Sequence, residues 1–362
     1  MDLIKDFRTK EFVTSISTLI KENASSYINI MEVCGGHTHS IMKYALPELF
    51  GKNINFIHGP GCPVCIMPRV RIDEGIELAL QENVIFCTLG DMIRVPGSKY
   101  SLADVRAKGA DVRALYSPFE CIEIAQKNES KTVIFYAIGF ETTAPMTAAL
   151  MERAKDIKNL FFHINHVTVP APIHSIMQDK DVKIDAFLAP SHVSVITGSD
   201  MYEPIASMYK RPIAISGFEP LDIAHSVLNL VLQHKNKTHE VFNQYKRAVR
   251  VKGNTKAKEL VEKYFKLSDF EWRGLGVIPN SALELREEYA HLNAKKLFQI
   301  QTQSKKDNKA CICGDILKGH KKPKDCSVFA KACNPKNPIG ACMVSSEGAC
   351  AAYFKYQRME CA

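Results

Sequence analysis

The sequence predicts an α/β fold made of two small parallel-sheet layers, Rossmann-like in their alternation of strand and helix, with a cysteine-rich domain at the C-terminal end. Two observations predict it. Short apolar runs alternate with helical stretches through the first two-thirds of the chain, and seven of the twelve cysteines lie after residue 310. Near-continuous apolar strands that alternate with helices are typical of parallel sheets covered on both faces.

Seven runs are predicted as strands because they are rich in β-branched or aromatic residues and end in a Gly, Pro or polar loop. They are residues 27–33, 54–58, 84–89, 132–138, 160–164, 186–188 and 212–216. We place a first α/β domain at 1–120 and a second at 121–225. Residues 226–362 then hold a helical segment and the cysteine-rich tail. The Lys and Arg residues of the helical stretch 221–266 are interpreted as a solvated face, with contact to an acidic partner as the alternative.

Composition excludes several classes of protein. With 362 residues, 46% apolar and 24% charged, the chain is neither disordered nor of low complexity. Its net charge of +8 is only mildly basic, so we expect no nucleic-acid partner. The longest apolar run, residues 133–140, is far shorter than the ~20 residues of a membrane helix. The N-terminal residues lack the apolar core of a secretory signal, and we expect a cytoplasmic protein with no membrane partner.

The cysteines indicate metal, cluster or redox chemistry, because the cytosol keeps thiols reduced and disulfide scaffolds are rare there. The first motif is Cys-Gly-Gly-His-Thr-His at 34–39, after a predicted strand. Ligands bind at the carboxyl ends of such strands. We expect a nearby imidazolium of His37 or His39, or the amide groups of a following helix, to lower the pKa of Cys34 and favour its thiolate. The alternative is a buried cysteine beside two unrelated histidines.

The second motif is Gly-Pro-Gly-Cys-Pro-Val-Cys at 59–65. Cys62 and Cys65 have C-x-x-C spacing on a predicted strand-to-helix turn, which suits a redox-active dithiol. Half of a zinc site and a purely structural role are the alternatives. The chain has no second C-x-x-C pair, which weakens the zinc interpretation.

The third group is the tail, which ends with Cys361. Four of its cysteines have the spacing C-x14-C-x6-C-x16-C: Cys311, Cys326, Cys333 and Cys350. Four thiolates suit zinc or an iron–sulfur cluster, and the tight cysteine pairs usual in zinc sites are absent. The long spacing therefore favours a 4Fe–4S cluster, although spacing alone does not choose four ligands among six. Cys313 and Cys342 are left over as a possible second dithiol.

Three further candidates are weaker. Gly-Phe-Glu-Thr-Thr-Ala-Pro at 139–145 either holds an anion through its amides or simply links a strand to a helix. His192 follows a predicted strand, where a histidine is more often structural than a ligand. Glu347 is a carboxylate close to Cys350, with a helix cap as the alternative. No Walker A motif and no dinucleotide-binding pattern occurs, so we expect no nucleotide-driven chemistry.

Together these segments resemble the HypD family of NiFe-hydrogenase maturation factors. The resemblance rests on 31–39, 59–65, 139–145 and 342–350. It implies a redox-active assembly factor, rather than a turnover enzyme, on which an iron centre receives two cyanides and one carbon monoxide before transfer to the hydrogenase large subunit. It also implies a complex with a HypC-type small chaperone. Cyanide would come from a HypE-type partner, which carries it as a thiocyanate made with HypF.

The resemblance implies roles for single residues as well. Cys34 would bind the iron together with a thiolate of the small partner, and His37 and His39 would hold that thiolate form and hydrogen-bond the cyanides. The 4Fe–4S cluster would be held by Cys311, Cys326, Cys333 and Cys350. The dithiol of Cys62 and Cys65 would supply two electrons for the release of cyanide. Cys313 and Cys342 would relay electrons to it, and His192 and Glu347 complete the candidate catalytic set.

Two rival functions share part of this chemistry. A cluster-containing thiol–disulfide reductase would use Cys62 and Cys65 on protein disulfides but has no task for Cys34. A zinc-stabilised binding module would have no redox role. Replacement of Cys34 by Ala separates the first from the iron scaffold, and the identity of the bound metal separates the second.

Overall fold

The computed structural model describes residues 8–303 and 307–356. Within these ranges the chain forms two parallel sheets, an antiparallel ribbon and an irregular cysteine-rich tail. Cys361 lies outside the described residues. No helix within the described ranges combines the length and hydrophobicity needed to cross a membrane.

The strands are β1 Ile28–Glu32, β2 Ile54–His58, β3 Val84–Leu89, β4 Asp111–Leu115, β5 Thr132–Gly139, β6 Leu160–His166, β7 Ala186–Pro190, β8 Ile213–Ser216, β9 Val241–Asn243, β10 Phe265–Trp272 and β11 Gly276–Leu285. All seven predicted strands are present. The sequence analysis misses β4, where Asp111 and Arg113 interrupt the apolar pattern. The strand β9 and the ribbon of β10 and β11 were not predicted either, because exposed and buried residues follow no regular apolar pattern in the ribbon.

The helices are α1 Lys10–Asn23, α2 Gly35–Lys43, α3 Leu46–Phe50, α4 Pro63–Ile66, α5 Arg69–Ala79, α6 Leu102–Ala107, α7 Glu120–Lys127, α8 Ala144–Arg153, α9 Pro170–Met177, α10 Ser191–Thr197, α11 Glu203–Tyr209, α12 Pro220–Asn236, α13 Thr255–Tyr264, α14 Ala294–Leu297, α15 Cys313–Leu317 and α16 Ala349–Tyr356. The predicted helical stretch 221–266 is two helices, α12 and α13, separated by β9.

The two predicted parallel layers are confirmed. The first sheet has the strand order β2-β1-β7-β8-β9 and the second β4-β3-β5-β6. Every strand pair within these sheets is parallel. The chain starts the first sheet, builds the second with β3 to β6, and then returns to the first at β7. Each sheet is thus assembled from its own set of strands. The predicted domain boundary at residue 120 falls between β4 and β5 of the second sheet.

The largest apolar cluster lies between the sheets. It joins Met31 and Phe187 of the first sheet to Phe86 and Tyr136 of the second, and it includes Trp272 of the ribbon. Two further clusters cover the outer faces of the sheets. Burial on both faces explains the near-continuous apolar runs that predicted these strands.

The topology brings several loops to one place. The loops that follow β1, β2, β7 and β8 all leave the carboxyl edge of the first sheet, where ligands bind in open α/β folds. The tail packs over this edge, with α16 against α2 and the helical turn Ala341–Met343 against α4. Motifs that lie hundreds of residues apart in the sequence therefore meet.

Candidate metal and redox site

Cys34 lies where β1 ends and α2 begins. Its backbone is extended, with φ −152° and ψ 124°, so it is the residue that precedes the first turn of α2. The N–H of His37 donates to the carbonyl oxygen of Cys34 at 2.9 Å. The backbone amides of Gly36 and His37 act to lower the thiol pKa, but other influences outweigh them.

Two glycines allow the neighbouring loops to reach Cys34. The N–H of Gly35 donates to the carbonyl of Gly61 at 3.0 Å. A Cβ on Gly61 would overlap the Cys34 backbone, and a Cβ on Gly35 would overlap Glu347. These close approaches join the Cys-Gly-Gly turn, the C-x-x-C loop and the tail at a single point.

The electrostatic surroundings of Cys34 oppose a free thiolate. Part of the residue reaches solvent, but desolvation of the sulfur, together with the negative charges of Glu347 and Glu32, raises the thiol pKa well above its usual range. A buried anion without a counter-charge is unfavourable. The thiol is therefore neutral until a cation arrives.

His37 does not supply that cation. Burial lowers the pKa of His37 to about 4. Its Nε2 lies 3.1 Å from the carbonyl oxygen of Ser216 and 3.2 Å from that of Gly217, which makes Nε2–H the donor of a neutral ring. The expectation of an imidazolium from His37 is wrong, because the sheet edge encloses the ring.

The other two histidines occupy different surroundings. His39 lies 3.1 Å through Nε2 from the Tyr356 hydroxyl on α16, and burial lowers its pKa. His192 is exposed at the start of α10, and its ring centroid lies 4.8 Å from that of Phe218. The ring centroid of Phe218 also lies 4.8 Å from that of His37. The structure therefore places His192 near His37, whereas His39 joins α2 to the tail.

Glu347 lies at the rim of this site. Its Cβ and backbone oxygen pack against Gly35. Desolvation of the carboxyl and the negative charges of Asp91 and Glu32 raise its pKa. The carboxyl group of Glu347 is thus held beside the Cys34 turn. The sequence had placed it only near Cys350.

Cys62 and Cys65 are paired as a disulfide with a Cα–Cα distance of 5.3 Å. Cys62 directly precedes the first residue of α4, and its sulfur accepts the Cys65 N–H at 3.2 Å. Pro63 at the first helical position fits this start, since it has no N–H to satisfy. Both cysteines are buried. The C-x-x-C pair therefore closes a disulfide within a single turn of chain.

Six cysteines of the tail line one small cavity: Cys311, Cys313, Cys326, Cys333, Cys342 and Cys350. Burial and the nearby sulfurs of Cys311, Cys313, Cys333 and Cys326 raise the pKa of Cys350 well above its usual value. Cys313 contacts both Cys311 and Cys342. The sulfurs therefore converge, although the spacing in the sequence is long and irregular.

Converging thiolates are the ligand type of an iron–sulfur cluster or of zinc. Among the described residues, no group of three or more His, Cys, Asp or Glu side chains is arranged to hold a metal ion. Gly340 leaves room for the sulfurs, because a Cβ there would lie 2.7 Å from Cys311 Sγ. Arg273 adds a buried guanidinium that acts electrostatically on Cys313 and Cys342.

The tail and the C-x-x-C loop are packed together. The turn that contains Cys342 lies against α4, and Cys342 shares the central apolar cluster with Cys62 and Cys65. The contact of Cys342 with Cys313 extends this series of sulfurs to the tail cavity.

Sequence reasoning missed three residues behind Cys34. Glu32 is fully buried at the end of β1, where its Oε2 accepts the Cys34 N–H at 2.9 Å. Its Oε1 accepts from Thr38 and lies 2.7 Å from His58 Nδ1. The available signal was a glutamate inside an apolar strand, which is costly to bury without partners.

The motif 139–145 forms the loop from β5 to α8. Glu141 accepts the Val169 N–H at 2.9 Å, and burial raises its pKa to about 7. The side chain borders a cleft of about 990 Å³ between α9 and the ribbon. Phe140 of this motif shares the central apolar cluster with Val33 and Cys62. Both sequence-based alternatives for the motif remain predictions.

Comparisons with known proteins identify the family of this chain. The family model HypD, described as "Hydrogenase formation hypA family", matches residues 8–357. The chain is 47% identical over 369 residues to the hydrogenase maturation factor HypD of Azotobacter vinelandii, covering 99% of this chain and 97% of that protein. It is 44% identical over 370 residues to the hydrogenase maturation factor HypD of Escherichia coli strain K12, covering 99% of each. The corresponding Rhodobacter capsulatus protein is 43% identical over 351 residues, covering 95% and 93%.

Proposed function

Because this chain belongs to the HypD family of hydrogenase maturation factors, we propose that it is the scaffold on which an iron centre acquires two cyanides and one carbon monoxide, with Cys34 as its iron ligand. Hydrogenase maturation is the function of the family, and the chain works with other maturation proteins. The finer role rests on one observation, which is the convergence of the Cys34 turn, the C-x-x-C loop and the tail through Gly35 and Gly61.

Cys34 is suited to be a metal ligand whose sulfur is charged only while the metal is bound. A metal cation deprotonates a coordinating thiol outright. Before iron binds, desolvation and the carboxylates of Glu347 and Glu32 keep the thiol of Cys34 neutral. After iron binds, the amides of Gly36 and His37 stabilise the sulfur charge. Soft thiolate ligation is compatible with low-spin iron that carries cyanide and carbon monoxide.

The pair Cys62–Cys65 supplies the two electrons for cyanide release. Cleavage of the sulfur–carbon bond of a thiocyanate consumes two electrons and gives a thiol and cyanide. The thiols of Cys62 and Cys65 provide these electrons when they join as a disulfide and release two protons. The disulfide state of this pair is thus the oxidised end of the cycle.

Cys313 and Cys342 restore the dithiol by thiol–disulfide exchange. Their two thiols become a disulfide while the Cys62–Cys65 bond breaks and takes up two protons and two electrons. Cys311, Cys326, Cys333 and Cys350 would hold a 4Fe–4S cluster, which when bound supplies electrons one at a time. The packing of the Cys342 turn against α4 supports this order of transfer.

The same proposal names the partners. A HypC-type chaperone would contribute the second thiolate to the iron, and a HypE-type carrier with HypF would deliver cyanide. The hydrogenase large subunit would receive the finished centre. The exposed ring of His192, near the mouth of the Cys34 site, is available to contact a cyanide nitrogen.

Anaerobic purification with co-expressed partners tests this function. Wild-type protein should show infrared bands of metal-bound cyanide and carbon monoxide, together with iron in excess of acid-labile sulfide. C34A should lose the bands and the excess iron but keep equal iron and sulfide. C121A is the matched control, since Cys121 is a buried cysteine on the outer face of the second sheet, and it should behave as wild type. Bands that persist in C34A would exclude Cys34 as the iron ligand. Zinc without sulfide would exclude the redox mechanism.

A further inference from the structure

We infer that the cleft between α9 and the ribbon is a binding site for a small organic cation with an apolar body, and that Glu141 is its anchor. The cleft has a volume of about 990 Å³, which lies within the range of small-molecule sites in proteins. No cysteine lines it within the described part of the chain. The inference therefore goes beyond the proposed function, which depends on the cysteines.

The cleft is formed where the ribbon docks onto the end of the second sheet. Directly after β6, Val167 forms an antiparallel bridge with Ala282 of β11. The N–H of the next residue, Thr168, donates to the Ser281 carbonyl at 2.9 Å. These backbone contacts fix the ribbon wall relative to the second sheet, so the cleft does not depend on a ligand for its shape.

Apolar side chains on both sides of the cleft favour a ligand with an apolar body. On the ribbon, Leu267 and Val277 line the cleft and are 54% and 68% exposed. On the other side the lining includes Pro170 and Ala171 of α9. Covering such side chains stabilises a complex, because apolar surface is removed from water.

Glu141 supplies the polar anchor at the border of the cleft. Its Oε1 accepts the Val169 N–H at 2.9 Å. Its Oε2 is buried and has no hydrogen-bond partner among the described residues. Buried polar atoms are nearly always paired, and one that is not requires an explanation. An N–H donor of a ligand in the cleft would pair with this oxygen.

The charges that line the cleft favour a cation over an anion. Among the described residues, the lining includes two carboxyl groups, Glu141 and Asp200, and one ammonium group, that of Lys258. His174 adds no positive charge at neutral pH, because burial lowers its pKa and its Nδ1 lies 3.0 Å from the Tyr209 hydroxyl. The lining is therefore negative once Glu141 is ionised, and a carboxylate shielded from water is favourable only beside a compensating charge.

The loop that carries Glu141 has few amides to offer to an anion. The N–H groups of Thr143 and Ala144 both donate to the Phe140 carbonyl, at 3.0 and 3.3 Å. Pro145, the next residue, has no N–H. Donors that an anion would need at the start of α8 are thus used within the loop or absent. The carboxyl group is the polar group that this loop contributes to the cleft.

Calorimetric titration of the full-length, anaerobically purified protein tests the site at about pH 8, where a carboxyl group with a pKa of about 7 is ionised. The probes are benzamidine, benzamide and benzoate, which share one apolar ring and differ in charge. Benzamidine should bind at one site per chain with a dissociation constant of about 1 mM, as expected for a ligand of this size. Benzamide should bind at least about tenfold more weakly, and benzoate should not bind.

The E141Q variant should weaken benzamidine binding at least about tenfold, because glutamine keeps an acceptor for the Val169 N–H but removes the charge. The V277S variant should weaken it by about threefold, since it removes part of the apolar wall. E123Q is the matched control, because Glu123 forms an exposed pair with Lys127 on α7 and does not line the cleft. It should bind benzamidine as wild type does.

Three results would overturn the inference: no saturable binding of benzamidine, equal binding of benzamidine and benzamide, or unchanged binding in E141Q. Preferential binding of benzoate or inorganic phosphate would also overturn it, and would favour the anion alternative for the loop 139–145. Val277 is an exposed residue. V277S and the three probes on wild-type protein therefore keep the test decisive if E141Q fails to fold.

Discussion

Glu32 lies directly behind Cys34: its Oε2 accepts the Cys34 N–H at 2.9 Å, while its Oε1 faces His58 Nδ1 at 2.7 Å. Thr38 donates to the same Oε1. A fully buried carboxyl group thus fixes the backbone that presents the thiol. Groups from the Cys34 turn, from β2 and from α2 meet on this one side chain, so the orientation of Cys34 depends on contacts outside its own loop.

E32Q is expected to destabilise the protein. Glutamine has the same shape, but its amide nitrogen is a donor and would face other donors in a buried place. Leaving a buried donor without an acceptor costs about 1–3 kcal/mol of the free energy of unfolding. Urea denaturation measures the loss. E123Q is the control, because Glu123 forms only an exposed pair with Lys127, and it should leave the midpoint unchanged. An unchanged midpoint for E32Q would mean that Glu32 is not required as a triple acceptor.

G61A is expected to displace Cys34 itself. The new Cβ would overlap the backbone of Cys34, which cannot move aside as a flexible side chain would. Overpacking of this kind costs about 1–3 kcal/mol. The amount of iron bound per chain should fall even where the protein remains folded, since the change displaces the iron ligand itself. G109A adds a Cβ in open space at φ +104°, so it reports the cost of backbone strain alone and should retain iron uptake. Normal iron binding by G61A would contradict the role given to this contact.

Variants of the C-x-x-C pair should separate cyanide transfer from the tail centre. C62A or C65A is expected to stop hydrogenase maturation, because either change removes the two-electron couple. The visible and electron paramagnetic resonance spectra of the tail cluster should persist, since neither cysteine lines the tail cavity. Loss of those spectra would instead place Cys62 or Cys65 among the cluster ligands. C87A, which alters a buried cysteine on β3, is the control for a simple packing defect.

Stability should fall in mild acid because of buried histidines. Burial lowers the pKa of His37, His163 and His166 to about 4 in each case. A histidine in the unfolded chain has a pKa of ~6.5. Between these values the unfolded chain binds more protons, so the free energy of unfolding is fully present above ~6.5 and decreases as pH falls toward about 4. Each histidine contributes about 1.4 kcal/mol per pH unit within this window.

Urea unfolding as a function of pH checks this slope. H166Q is the informative variant, because Thr147 contacts His166 Nε2 at 2.8 Å and glutamine can keep that hydrogen bond. Its slope should be shallower by about 1.4 kcal/mol per pH unit. H291Q, at an exposed histidine, should leave the slope unchanged. Equal slopes for H166Q and wild type would show that His166 is not neutral in the folded protein.

Much of the fold was predictable because parallel strands carry a local signal. Burial on both faces makes β5 apolar along nearly its whole length, and the seven predicted strands all share this property. The signal fails for the ribbon, where buried and exposed residues alternate irregularly around a register shift at Ser268 and Phe270. It fails for β4 because charged side chains alternate with buried ones there.

The site was predictable in its residue types and not in its electrostatics. The motif at 34–39 correctly places Cys34 at a strand end, but the expected lowering of its thiol pKa is wrong, because desolvation and the charges of Glu347 and Glu32 raise it. The expected positive charge on His37 was wrong, because the ring is buried against Ser216, a residue of a strand far along the chain. Burial by distant residues sets such a pKa, and no local pattern reports it.

The sequence by itself determined the parallel strands and the membership of the family, because each of these depends on residue type and short-range order. Only the tertiary structure decided that the chain returns to the first sheet at β7, where Val33 N–H donates to the Leu188 carbonyl at 3.1 Å. It also decided that the helical turn Ala341–Met343 packs against α4. The physical reason is that burial and charge act through space, between residues whose separation along the chain carries no record of their contact.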